Sequence, residues 1–131
     1  MTGLDTNVLV RALVQDDPKQ SPVAAELLLA CTPARPGYIS NVSLCELAWV
    51  LRRGFGFPRE RVLGTLQRLL DAEGIVLENE EHVTRALAGA STGGAGFADR
   101  LIAELHAAAG VTETLTFDKA ASELDGWRRL R

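Results

Sequence analysis

Short β-prone segments alternate with longer helical stretches along this chain, and that alternation limits the folds open to it. Residues 3–5, 38–40, 75–77 and 113–116 read as strands, and residues 127–130 as a fifth, edge strand. Between them, residues 7–15, 21–31, 41–53, 59–72, 79–87 and 97–109 carry apolar side chains three and four apart, the spacing of a helix packed on one side. Residues 120–124 read as a further short helix. Ser21-Pro22, Asn41 and Asn79 are the expected helix starts, and Gly74 and Gly110 the expected stops. Strands that alternate with helices form βαβ units, so the expected fold is α/β with a mostly parallel sheet of four to five strands. At 131 residues the expectation is a single domain, residues 1–131.

Four acidic residues fall one at each of four strand-to-helix junctions: Asp5, Glu46, Asp99 and Asp118. In an open parallel sheet the carboxyl ends of the strands share one edge, so residues far apart in sequence would meet in one crevice. Read singly, each acid has a structural explanation. Asp5 and Asp118 suit helix N-caps, and Asp99 in a first helical turn suits the helix dipole. Glu46 lies off the apolar stripe Leu44, Leu47, Ala48, Leu51 and Phe55, where a carboxylate is ordinarily solvated. Asp99 likewise flanks the stripe Ala98, Leu101, Ile102, Leu105 and Ala109. Asp5 follows a strand expected to be central and buried, with Thr6 and Asn7 as short polar neighbours able to orient it.

Together the acids imply more. Two carboxylates about 4 Å apart repel by roughly 4 kcal/mol at an effective dielectric near 20. Such a cluster must take up protons or bind a cation. Oxygen-only ligands suit Mg²⁺ or Mn²⁺. The two histidines, His82 and His106, and the two cysteines, Cys31 and Cys45, have no zinc-site spacing. Divalent metals held by carboxylates commonly serve phosphoryl chemistry. Neither a Ser-His or Cys-His nucleophile pair nor a Walker loop is present; Gly93-Gly94-Ala95-Gly96 lacks the Lys-Ser/Thr ending.

Net charge is −3, which argues against a protein held to nucleic acid by bulk electrostatics alone and leaves local arginine clusters and metal-bridged phosphate contacts. Arg53, seven residues beyond Glu46 on the same helix side, is the candidate for an RNA backbone contact. Arginines also cluster at Arg52, Arg59 and Arg61, and at Arg128, Arg129 and Arg131. Trp49, Phe55 and Phe57 suit either core packing or a protein-binding surface. Free, buried cysteines and the absence of a signal peptide point to the cytoplasm, and no apolar run is long enough to span a membrane.

Leu4-Asp5-Thr6-Asn7-Val8-Leu9, Ser40 with Glu46-Leu47, Phe97-Ala98-Asp99-Arg100-Leu101-Ile102-Ala103 and Thr116-Phe117-Asp118 stand in this order over essentially the whole chain. In this it resembles the PIN-domain family, and within it the VapC-type toxin ribonucleases of toxin–antitoxin pairs. The resemblance implies a three-layer α/β/α sandwich and Mg²⁺- or Mn²⁺-dependent endonucleolytic cleavage of RNA. It implies that Asp5, Glu46, Asp99 and Asp118 are the catalytic, metal-holding acids, with Asn7 and Thr116 orienting them. It further implies a homodimer and a cognate antitoxin as partners. One departure is Gly96, where many relatives carry an acid; a second metal is therefore not expected to be held as well as the first. Two other readings compete: a catalytically inactive PIN-like module that binds RNA or protein, and a receiver-type signalling domain. The receiver would need a phosphoacceptor Asp at the third strand, where this chain offers only Glu78.

Overall fold

The computed structural model describes residues 1–131, which form two compact units, residues 1–80 and 81–131. Both are α/β, and every strand pairing in them is parallel. The five strands fall into two ladders.

In the first unit, β1 (Thr2–Gly3), β2 (Gly37–Ile39) and β3 (Ile75–Leu77) pair in that order, with Gly3 opposite Tyr38 and Ile39 opposite Leu77. The strand expected to be central, β1, is therefore at one end of its ladder and β2 is in the middle. Four α-helices join them: α1 (Thr6–Val14), α2 (Gln20–Ala30), α3 (Asn41–Trp49) and α4 (Arg59–Asp71). Leu9, Ile39, Leu44, Leu47, Leu51 and Leu66 are fully buried and make the core.

Several caps differ from expectation. Helix α2 starts at Gln20, because Asp17 Oδ1 accepts from the Lys19 and Gln20 amides; Ser21 and Pro22 fall inside the first turn. Ser40, not Asn41, caps α3, accepting from the Ser43 amide at 3.2 Å. Asn41 is instead tied to the end of β3: its amide donates to Glu78 Oε1 and its side chain to the Glu78 carbonyl. Asn79 has a left-handed φ of 53° and donates its side chain to Asn41 Oδ1, so it is a turn residue in place of the expected cap. Gly74 does not stop α4, which ends at an extended Ala72. A Cβ at Gly74 would strike the Cys31 backbone, so glycine lets that turn close on the end of α2.

Helix α3 does not run to Arg53 in α-form. A π-helical turn, Val50–Gly54, follows it, closed by the Phe55 amide on the Val50 carbonyl. The wider i→i+5 turn breaks the apolar stripe. Phe55 is left 38% exposed, while Phe57 is buried under the Arg61 guanidinium, 3.8 Å from the ring centre.

The second unit holds α5 (Glu80–Ala90, its first residue contributed by the first unit), α6 (Phe97–Ala108), and the pair β4 (Thr114–Thr116) and β5 (Trp127–Arg129) joined through a 3₁₀ turn at Ala121–Glu123. Val83, Ala86, Ala90, Phe97, Leu101 and Ala121 are buried. Ile102 and Ala109, expected on the packed stripe of α6, are exposed. Helices α5 and α6 are clasped by Glu104, which accepts from Arg85 Nε at 2.6 Å and lies 2.9 Å from His82 Nδ1. Gly110, at φ 84°, stops α6 as expected, with the Val111 amide returning to the His106 carbonyl. No helix is long and apolar enough to cross a membrane.

Candidate active site

In the first unit the site is organised by Thr6. The chain leaves β1 through Leu4, whose amide still reaches the Tyr38 carbonyl, and turns into α1 at Asp5. Asp5 sits in extended backbone as the N-cap, and its Oδ1 accepts from the Thr6 amide at 2.8 Å. The Thr6 side chain is buried, and its hydroxyl donates to Glu46 Oε1 at 2.9 Å. One residue therefore binds two acids from positions forty apart in sequence, Asp5 through its backbone and Glu46 through its side chain. The Ser40 cap sets the start of α3 and thereby the turn from which Glu46 projects. Asn7 is exposed on the first turn of α1 and makes no hydrogen bond to either acid. Arg53 lies exposed in the π-helical turn, where the seven-residue repeat from Glu46 no longer sets its direction.

In the second unit the acids are Asp99 and Asp118. Helix α6 begins after Gly96, whose backbone is extended and which offers no side-chain cap. Asp99 is in its first turn, half-buried, and accepts no hydrogen bond. Burial pushes the Asp99 carboxyl above its ordinary value, and the charge of Asp118 pushes it further. Asp118 is fixed twice: its amide donates to the Thr116 hydroxyl at 3.0 Å, and its Oδ2 accepts from the Ala121 amide at 2.7 Å. Asp118 thus caps the 3₁₀ turn while staying exposed.

Two supporting residues escaped the sequence reading. Arg100, next to Asp99, donates Nε to the Ala95 carbonyl and Nη2 to the Gly93 carbonyl, and so ties the glycine-rich loop to the start of α6. Gly89 gives it room, since a Cβ there would lie 2.6 Å from its Nη1. A long cation one turn past a run of glycines was the available signal. Glu78 is the other: its carboxylate accepts from the Asn41 amide at 2.8 Å and holds the start of α3 in place.

Asp16, Glu104 and Glu113 are in ion pairs, whereas Asp5, Glu46, Asp99 and Asp118, like most acids of the chain, are in none. Carboxylates without a protein counter-ion, two per unit and with only oxygen to offer, are the donor chemistry that suits a hard divalent cation. Within neither unit do three or more acidic, histidine or cysteine side chains gather into a metal-holding group.

The family model for the PIN domain matches residues 4–126, across both units. The parallel α/β elements agree with the fold class the resemblance implied. No curated protein matches the sequence. PIN domains are typically metal-dependent nucleases.

Proposed function

Because the chain belongs to the PIN domain family, we propose that it is a Mg²⁺- or Mn²⁺-dependent endoribonuclease, the toxin of a toxin–antitoxin pair, in which Asp5, Glu46, Asp99 and Asp118 converge on the metal. The observation that carries this reading is the pair of unneutralised carboxylate sets, one tied together by Thr6 and one left in repulsion at Asp99. A divalent ion held there supplies charge neutralisation of the phosphate and a water activated at neutral pH. The chain's own residues do the positioning. Thr6 holds Asp5 and Glu46 at a fixed separation, and Thr116 with the Ala121 amide holds Asp118. Arg100 holds the loop ahead of Asp99. Asn7, exposed on the first turn of α1, is free to turn toward the acids and orient them. Gly96 brings no carboxylate, so the remaining acids suit one ion better than two. Arg53 is the first-unit candidate for a phosphate contact. Function in the cytoplasm, a homodimer and inhibition by a cognate antitoxin complete the proposal.

The test is cleavage of structured RNA with Mg²⁺ or Mn²⁺, comparing wild type with Asp5→Asn and Asp99→Asn. Loss of a ligand should cost more than the roughly 10- to 100-fold that follows loss of a residue supporting a ligand. Equal cleavage by both variants, and in chelator, would refute the nuclease reading.

A further inference from the structure

We infer that Phe117 and Arg129 form a nucleotide-binding step beside Asp118, in which Phe117 stacks an unpaired base and Arg129 holds the adjoining phosphate. The inference rests on the ribonuclease reading and adds to it two substrate-holding residues outside the acidic set.

The argument begins with exposure. Phe117 is 71% exposed, whereas Phe57 and Phe97 are buried and Trp127 stacks on His106 with ring centres 6.3 Å apart. Of the two strongly exposed aromatic side chains, Trp49 and Phe117, only Phe117 has a cation anchored on its own backbone. Arg129 Nε donates to the Phe117 carbonyl at 3.2 Å. The β4–β5 ladder sets this contact: Thr116 pairs with Arg129, and the Leu130 amide reaches the Thr116 carbonyl at 2.7 Å. The ring therefore stands on backbone clamped by the neighbouring strand.

The charge is arranged to match. Arg128 is paired with Glu113 at 3.3 Å, but Arg129 has no carboxylate partner. Its terminal nitrogens make no hydrogen bond within the chain. A planar guanidinium with both terminal nitrogens free fits phosphate oxygens in bidentate fashion. Asp118, the next residue after Phe117, is itself immobilised by Thr116 and Ala121. Phe117 and Asp118 are consecutive, so a nucleotide held at Phe117 is one Cα step, about 3.8 Å, along the chain from the residue proposed to hold the metal. Stacking needs an exposed base face, which a duplex does not present, and it tolerates any base. In a chain of net charge −3, such local contacts must supply what bulk electrostatics does not.

The experiment measures binding of a fluorescein-labelled twelve-nucleotide oligouridylate in Ca²⁺, which ligates carboxylate and phosphate oxygens, against a blunt RNA duplex of the same length. Phe117→Ala should weaken oligouridylate binding by about 5- to 100-fold, with little change for the duplex. Phe117→Tyr should bind as wild type, and Phe117→Leu should be as weak as Phe117→Ala. Arg129→Gln should lower the salt dependence by about one phosphate contact. If Phe117→Ala or Phe117→Leu binds oligouridylate like wild type, or Phe117→Ala changes only the oligomeric state, the inference is overturned while the nuclease reading stands. If wild type binds neither RNA, both fall together.

Discussion

The two acid pairs are built on opposite principles. Asp5 and Glu46 are joined by neutral donors, the amide and hydroxyl of one buried threonine. Asp99 and Asp118 share no such donor: Asp99 is half-buried and accepts no hydrogen bond, and burial first and the charge of Asp118 second raise its carboxyl. The first pair is organised by the fold itself. In the second the fold disfavours the charge on Asp99, which a cation would relieve. On the proposed reading the first pair would supply geometry and the second the affinity for metal.

The strongest way to break this comparison is to titrate metal against melting temperature. Wild type should be stabilised by millimolar Mn²⁺, by about 2.7 kcal/mol at a hundredfold excess over Kd. Asp99→Asn should melt higher than wild type in chelator, since a buried, repelled charge is gone, and should lose most of the Mn²⁺ shift. If the variant keeps the full shift, Asp99 is not where the affinity resides.

Thr6→Val provides the complementary test on the first pair. The substitution keeps volume and removes only the hydroxyl on Glu46. A hydrogen bond to a charged group contributes about 1.5–3 kcal/mol, and the exposure of Glu46 puts this one near the lower figure. Metal-free stability should fall by that amount in urea unfolding, while the Mn²⁺ shift survives. A variant as stable as wild type would show that the bridge organises nothing.

Why one pair and not the other could be read in the sequence follows from the same difference. Asp5 and Asp118 do follow strands, but Asp99 comes after α5 and a loop and Glu46 lies inside α3, so the expected strand-to-helix junctions hold for only two of the four acids; parallel pairing in both units followed from the alternation. Caps were legible only where local chemistry decides them, as at Gly110. At Asn41 the local preference lost to a tertiary partner, the Glu78 carboxylate thirty-seven residues away. The π-helical turn at Val50–Gly54 was invisible to a counting scheme that assumes 3.6 residues per turn, and it moved Phe55 out of the stripe. Arg100 was missed because its partners are backbone carbonyls, which carry no residue-type signature.

The smallest effect, and the one most diagnostic of sign, is the acid limb of stability. Asp99 has its carboxyl raised above 3.8 by burial and by Asp118, so the folded chain holds that proton to higher pH than the unfolded chain does. Its contribution is therefore most favourable below 3.8 and is lost as pH rises through the raised folded value. Glu104 runs the other way. Burial alone would raise it, but the hydrogen bonds from His82 and Arg85 prevail and lower it below 4.5. Its contribution is present above 4.5 and is lost as pH falls through the lowered folded value. In urea midpoints between about pH 3 and 7, the difference between wild type and Asp99→Asn should grow more unfavourable to wild type with rising pH. The difference between wild type and Glu104→Gln should change in the opposite sense. Because its partner Arg85 is exposed, the Glu104 slope should be the shallower and should fade with added salt. Saturating Mn²⁺ should remove the Asp99 slope and leave the Glu104 slope untouched; if both persist, the repulsion at Asp99 is not what the metal relieves.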